Sequence, residues 1–82
     1  MQSRQPEDQI VFERDLAALA KQLRQKAGVS KAEAARRLGV NRGTIQQAEE
    51  YPETSLTKVR IRLIEAFSTC TVKGPAFIVS ER

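Results

Sequence analysis

The N-terminal part of the 82-residue chain combines a short polar stretch with a long run of helical periodicity. Between residues 10 and 27, apolar side chains recur at steps of three and four, which is the spacing of one helix face. These side chains are Phe12, Leu16, Leu19, Ala20, Leu23 and Ala27. The pattern predicts a first helix here, with Gly28 at its C-terminal cap and residues 1–9 as a flexible arm.

The next two helical patterns are short and lie close together in the sequence. Ser30 is predicted to cap the second helix, and Glu33, three residues later, is predicted to complete a capping box. Gly39 then supplies the positive φ angle of a tight turn. Asn41 is predicted to cap a third helix, residues 42–50.

The C-terminal third of the chain changes from a helical to a strand-like pattern. Pro52 is predicted to end the third helix, and Thr54 or Ser55 to cap a fourth. The buried stripe of this fourth helix is predicted to be Leu56, Val59, Leu63, Ile64 and Phe67. Within residues 69–82, β-branched and apolar residues alternate around a Gly-Pro turn, which predicts a strand or a hairpin.

Residues 30–50 together have the pattern of a helix-turn-helix unit, in which a turn with a glycine joins two short helices. If Ile45 and Ala48 point inward, the opposite face of the third helix is polar. That face offers Arg42, Gly43, Gln46 and Gln47. Arginine and glutamine side chains match guanine and adenine edges in the DNA major groove, so the third helix is predicted to be a recognition helix.

The distribution of charge favours a polyanionic partner. The net charge of the chain is +4, but residues 21–47 contain seven cationic side chains and one carboxylate, so their net charge is +6. A localised basic block is typical of nucleic-acid binding. No apolar run is long enough to span a membrane, and the polar N-terminus lacks the apolar stretch of a secretory signal. A membrane partner is therefore not expected.

The histidine and cysteine content disfavours catalysis and metal binding. The chain contains no histidine and one cysteine, Cys70, so an internal disulfide is impossible and a cytoplasmic location is expected. It also contains no glycine-rich phosphate loop and no nucleophile motif. We therefore expect no enzyme, no catalytic residue and no metal. Neither a cofactor nor a small-molecule effector is expected.

The segment LRQKAGVSKAEAARRLGVNRGTIQQAEE, residues 23–50, resembles the lambda-repressor-like helix-turn-helix family of the Cro/cI or Xre type. The spacing of Ala35, Gly39 and Ile45, together with LGVNRGTI, carries the resemblance. It extends over about residues 16–67. The implied fold is all-α, a four-helix lambda-repressor-like helix-turn-helix domain at residues 10–68, followed by a short C-terminal β-strand or hairpin arm.

The resemblance also implies roles for individual residues. Residues that match or lie beside base-reading positions are Arg42, Gly43, Gln46 and Gln47. Residues that match positions at the DNA backbone are Lys31, Asn41 and Thr44. Arg36 and Arg37 are expected to contact phosphates because of their charge, although one of these two must point away from the DNA. Arg24 and Glu49 match a pair that forms a salt bridge in many relatives, so Arg24 is expected to be structural.

Two functions are compatible with these features. The first is a sequence-specific double-stranded DNA-binding transcriptional regulator, a dimeric repressor that reads a pseudo-palindromic operator. The second is a protein-interaction module, such as the antitoxin of a toxin–antitoxin pair with autoregulatory DNA binding, whose C-terminal arm contacts a protein partner. Phe77, Ile78 and Val79 are predicted to form a homodimer interface, with packing inside the chain as the alternative.

Overall fold

Four helices and three strands make up the described part of the chain, which comprises residues 9, 10, 12–73 and 78–81 of a computed structural model. The helices are α1 (Glu13–Lys26), α2 (Lys31–Leu38), α3 (Arg42–Glu50) and α4 (Thr57–Ala66). The strands are β1 (Gln9–Ile10), β2 (Cys70–Lys73) and β3 (Ile78–Glu81). The predicted architecture of four helices followed by a C-terminal hairpin is confirmed.

The starts of α2 and α3 follow the predicted caps. Ser30 Oγ accepts a hydrogen bond from the backbone N–H of Glu33 at 3.0 Å, and Asn41 Oδ1 accepts one from the N–H of Thr44 at 2.8 Å. Each cap satisfies a backbone donor that has no partner inside its helix. Between the two helices, Gly39 has a φ of 72°, so the predicted left-handed turn is confirmed.

The second half of the predicted capping box is wrong. The carboxylate of Glu33 contacts the guanidinium groups of Arg36 and Arg37, one turn further along α2, instead of returning to the N–H of Ser30. Two cations at spacings of three and four residues compete with a single backbone N–H for the carboxylate. Glu33 therefore orders the exposed side of α2, and the Ser30 hydroxyl alone caps the start of the helix.

The first helix begins three residues later than the apolar period predicts. Ile10 belongs to β1, and the N-cap of α1 is Phe12, whose N–H donates to the Asp15 carboxylate at 3.3 Å. The side-chain period cannot distinguish these two outcomes, because β1 exists only by pairing with a distant strand. At the other end, Gly28 follows α1 with a φ of 73°, as expected after a helix C-terminus.

The start of α4 also differs from the prediction. Neither Thr54 nor Ser55 caps it; the N-cap is Leu56, which has no side-chain hydrogen bond to the helix. The Thr54 hydroxyl donates instead to the carbonyl of Tyr51 at 2.7 Å, which closes the turn after α3. The threonine is thus a turn residue rather than a cap.

The three strands form one antiparallel sheet in the order β1-β3-β2. Val79, in the central strand, is paired with Gln9 on one side and Val72 on the other. It is 4% exposed and packs in the same core as the helices. The C-terminal hairpin thus folds back on its own chain. Of the predicted N-terminal arm, residues 1–8 lie outside the described residues.

The core lies where the four helices and β3 meet. Its buried members are Leu16, Ala20, Ala34, Ala35, Leu38, Ile45, Ala48, Leu63, Ile64 and Val79. Four of them are alanines, which lets the helices approach closely, and partly buried residues such as Phe67 and Val72 pack around them. The inward positions predicted for Ile45 and Ala48 are confirmed, since both are fully buried.

The outer edge of β2 is covered by polar side chains from the end of α4. Alternate residues of an antiparallel strand point their N–H groups away from the partner strand. The N–H of Cys70 donates to Ser68 Oγ at 3.1 Å, and the N–H of Val72 donates to Glu65 Oε2 at 3.0 Å. Because these donors are occupied, addition of another strand at this edge is disfavoured.

Replacing Glu65 by alanine should expose the β2 edge. We expect the unfolding free energy to fall by about 1 kcal/mol and self-association to increase, because the N–H of Val72 loses its acceptor. Urea denaturation and sedimentation velocity measure the two effects. Glu53→Ala is the control, since it removes the same charge from an exposed turn. If both variants behave alike, the Glu65 contact does not protect the edge.

Candidate nucleic-acid interface

The two faces of α3 differ in burial as predicted. The buried side chains are Ile45, Ala48 and Glu49. The exposed ones, together with the exposed glycine, are Arg42, Gly43, Gln46, Gln47 and Glu50. The whole set of predicted base-reading residues is therefore accessible on one continuous helix surface. We call this surface the polar face of α3.

The N-terminal end of α3 is ordered by a compact cap. Asn41 Oδ1 accepts hydrogen bonds from both the backbone N–H of Thr44, at 2.8 Å, and its hydroxyl, at 3.0 Å. The first turn of α3 carries no acidic residue. The positive end of the helix dipole and the charge of Arg42 therefore reinforce each other, an arrangement that favours a phosphate or an electronegative base edge.

Gly43 packs against this cap. A β-carbon at position 43 would lie 3.3 Å from Asn41 Oδ1, which is closer than an unstrained contact. Gly43 has a helical backbone, so it does not serve an unusual φ angle. Its lack of a side chain instead leaves the helix backbone open to close approach by another molecule. A larger side chain at this position would both press on the cap and keep another molecule away from the helix backbone.

Lys31 joins the start of α2 to the polar face of α3. Its Nζ donates to Gln46 Oε1 at 2.8 Å, across the turn of the helix-turn-helix unit. Lys31 was predicted to contact DNA from the start of α2, and Gln46 to read a base or a phosphate from α3. The structure brings the two side chains together in one cluster.

Arg36 and Arg37, in the C-terminal half of α2, differ in their surroundings. Both contact the Glu33 carboxylate, whose pKa is lowered chiefly by the hydrogen bond from Arg37 and further by the charges of both arginines. The Arg37 guanidinium also lies 5.6 Å from the ring centre of Phe67, at the end of α4. Arg36 is the more exposed of the two.

Arg24 and Glu49 form a bidentate ion pair between α1 and α3. Arg24 Nε and Nη2 donate to the two carboxylate oxygens at 2.6 and 2.9 Å, and Nη1 donates to the Val29 carbonyl at 2.7 Å. Both residues are 5% exposed. The hydrogen bond to the Glu49 carboxylate raises the pKa of Arg24. This arginine is thus part of the interior, as the resemblance implies.

A second ion pair lies beside the first and was not predicted. Lys21 Nζ donates to Glu50 Oε2 at 2.7 Å, and both side chains are about one-third exposed. This hydrogen bond is the main reason that the pKa of Glu50 is lowered, and the charges of Lys21, Lys31 and Arg24 add to it. Successive residues of α3, Glu49 and Glu50, are therefore both tied to α1.

Arg60 supports the C-terminal end of α3 and was also missed by the sequence analysis. Its side chain is fully buried. Its guanidinium donates to the carbonyls of Ala48, Tyr51 and Thr54 at 2.8, 2.9 and 3.0 Å. Carbonyls at a helix C-terminus lack partners within the helix and carry partial negative charge, so a buried cation there is favourable.

A sequence signal for Arg60 does exist. Position 60 lies four residues after Leu56 and three before Leu63, so it belongs to the buried stripe of α4. An arginine within an apolar stripe needs several acceptors in the interior, but the sequence does not say which segments supply them.

The arrangement of α2, the Gly39 turn and α3 defines a helix-turn-helix domain. A family model described as a helix-turn-helix domain matches residues 15–67, which is most of the chain. The chain therefore belongs to this helix-turn-helix family, and it contains a DNA-binding type of domain. No curated protein and no solved structure shows significant similarity to it.

Two features are absent from the described residues. They contain no group of three or more histidine, cysteine, aspartate or glutamate side chains arranged to hold a metal ion. None of their helices has the length and apolar character required to cross a membrane.

Replacing Arg60 by methionine should lower the unfolding free energy by about 3 kcal/mol, because three buried or partly buried carbonyls lose a charged donor. Urea denaturation followed by circular dichroism measures the loss. Arg62→Met is the matched control on the same helix, since Arg62 is exposed and donates to the single carbonyl of Leu38. Equal losses for the two variants would contradict the role assigned to Arg60.

Replacing Glu49 by glutamine should lower the unfolding free energy by about 3 kcal/mol, because the buried Arg24 guanidinium loses its counter-charge. The same substitution at the adjacent Glu50, whose ion pair with Lys21 is partly exposed, should have a much smaller effect. Urea midpoints of the two variants provide the comparison. Indistinguishable midpoints would show that the buried pair does not hold α3 to α1.

Proposed function

We propose that the protein is a sequence-specific double-stranded DNA-binding transcriptional regulator whose helix α3 enters the major groove. One observation carries this proposal. The buried side of α3 is held by Ile45, Ala48 and the Glu49 ion pair, while its other side presents arginine and glutamine side chains to solvent. These side chains are exposed, and their donor and acceptor groups suit base edges.

Base reading is assigned to the polar face of α3. Arg42 can donate two hydrogen bonds to guanine, while Gln46 and Gln47 can each pair with a base edge. Gly43 contributes by absence of a side chain, since its backbone beside the Asn41 cap can approach the DNA closely. This is the division of labour in which a few side chains specify sequence and the remaining contacts fix position.

Phosphate contacts are assigned to the surfaces that flank α3. Asn41 and Thr44 order the start of the helix, where the N–H groups and the dipole favour an anion. Lys31 contributes charge from the first residue of α2. Of the two α2 arginines, Arg36 is the better candidate for phosphate contact, because Arg37 lies over the Phe67 ring.

The proposed regulator acts as a dimeric repressor on a pseudo-palindromic operator. Half-sites read by two copies of α3 would lie about 34 Å apart, one turn of B-DNA. Val79 packs in its own chain and Phe77 lies outside the described residues, so Ile78, which is half-buried, is the proposed dimer contact that can be described. The covered edge of β2 favours side-chain packing over strand addition at this dimer interface.

The alternative of a protein-binding antitoxin has less support. It would gain from a C-terminal arm that orders only with another polypeptide. In this chain β2 and β3 pair with each other, and Val79 contributes to the core. The DNA-binding regulator is therefore the function we propose.

Selection of bound sequences from a random duplex library, at near-physiological salt, tests the proposal. Enrichment of a two-fold symmetric site supports a dimeric regulator and reveals its operator. Enrichment of a single half-site supports major-groove reading and contradicts the symmetric dimer. Weak, salt-sensitive binding without any enrichment would contradict sequence-specific regulation.

Replacing Arg42 by alanine should cost about 1–3 kcal/mol of binding free energy and relax the preference at one base position, because a bidentate contact is lost. Competition binding against single-base variants of the selected site measures both effects. Lys26→Ala is the control, since this exposed lysine lies beside the C-terminal hairpin. An unchanged base preference in the Arg42 variant would contradict its role as a base reader.

A further inference from the structure

The contact between Lys31 and Gln46 restricts what the glutamine can offer to DNA. Lys31 Nζ lies 2.8 Å from Gln46 Oε1. An ammonium group can only donate, so the atom of the glutamine amide that faces it must be the carbonyl oxygen. The amide NH2 group of Gln46 is consequently directed away from Lys31.

The neighbouring charges leave Lys31 available for this contact. Glu50 lies one turn after Gln46 on the exposed part of α3, close enough for Lys31 to influence its charge state. Its carboxylate, however, is hydrogen-bonded to Lys21 at 2.7 Å. Within the described residues Lys31 makes no ion pair, and Gln46 is the partner of its ammonium group.

The base that a glutamine selects depends on both ends of its amide. A free glutamine matches adenine, because its NH2 group donates to N7 while its carbonyl oxygen accepts from N6. When the carbonyl oxygen already receives a charge-assisted hydrogen bond, its ability to accept from N6 is reduced. The oxygen keeps a second lone pair, but beside the ammonium group it is a weaker acceptor, while the lysine and the amide NH2 group both offer donors. Guanine suits this pair better than adenine, because it presents two adjacent acceptors, O6 and N7.

We propose that Lys31 is a specificity-determining positioning residue, which makes Gln46 select guanine instead of adenine at one base position. The inference rests on the proposed function, since it requires α3 in a major groove. It differs from a phosphate role for Lys31 in a measurable way. A phosphate contact affects all sequences equally, whereas control of Gln46 affects the choice between two bases.

The test compares sequence selection by three forms of the full chain. Lys31→Met removes the ammonium group and keeps an unbranched stem of similar length. We expect the ratio of guanine to adenine binding at one position to fall by about tenfold, the size of a lost or gained base-specific pair. Gln46→Ala should abolish the preference at that same position, since the reading group itself is gone.

Arg36→Met is the matched control. It removes one charge from the exposed side of the same helix without touching Gln46, so it should weaken binding to all sequences and leave the base ratio unchanged. Circular dichroism establishes that each variant is folded, which is expected because Arg36 and Gln46 are exposed and Lys31 is only half-buried.

The outcomes separate the two levels of the proposal. If Lys31→Met weakens all sequences alike, reduces the salt dependence and leaves the base ratio unchanged, Lys31 is a phosphate contact and the inference is overturned while the regulator stands. If Gln46→Ala changes a different position from Lys31→Met, the inference is likewise overturned. If the wild-type chain enriches no sequence, the proposed function fails, and the inference fails with it.

Discussion

The position of α3 depends on the buried ion pair between Arg24 and Glu49. Two hydrogen bonds of 2.6 and 2.9 Å join α1 to α3 in the interior, and the third donor of the guanidinium holds the Val29 carbonyl just before α2. One side chain thus fixes three segments. A charged pair in the interior is costly unless each group is hydrogen-bonded, which makes the geometry of this contact demanding and the resulting helix position well defined.

Arg60 completes this support from the opposite end. It binds the last carbonyls of α3 and the turn that follows, so the helix is held by one arginine along its buried side and by another at its C-terminus. Besides the N-terminal cap, the polar face of α3 contributes the ion pair of Glu50 with Lys21 and the hydrogen bond of Gln46 with Lys31 to the fold, and it leaves Arg42 and Gln47 exposed. The identities of Arg42 and Gln47 can therefore serve the binding of a partner rather than the stability of the fold.

The positive charge of residues 21–47 is partly neutralised, because four of their seven cations pair with three carboxylates of α2 and α3. Among the cations of residues 21–47, Arg24 and Lys21 pair with the acids of α3, and Arg36 and Arg37 share Glu33. Among the described cations of residues 21–47, those without an ion pair are Lys26, Lys31 and Arg42. The net charge of residues 21–47 therefore overstates the positive charge that is free to attract DNA. Most of that free charge in the helix-turn-helix unit comes from Lys31 on α2 and Arg42 on α3.

Local chemistry determined which features the sequence could predict. The caps at Ser30 and Asn41 and the turn at Gly39 are each decided within four residues, and all three were predictable. Strand β1 was not, because its pairing with β3 joins segments almost seventy residues apart. Arg60 was missed for another reason, since its acceptors lie only 6 to 12 residues before it, but the periodicity does not show the bend after α3 that brings them to its guanidinium.

In the candidate site, too, local features were predictable from the sequence and contacts between helices were not. Periodicity alone assigned the exposed residues of α3, because a helix with Ile45 and Ala48 inside has only one possible polar face. The contact of Lys31 with Gln46 depends instead on the angle between two helices, which the Gly39 turn and the Arg24 ion pair set together. Since that angle decides which end of the Gln46 amide faces outward, the base preference proposed for Gln46 depends on the packed fold and cannot be read from the sequence of α3 by itself.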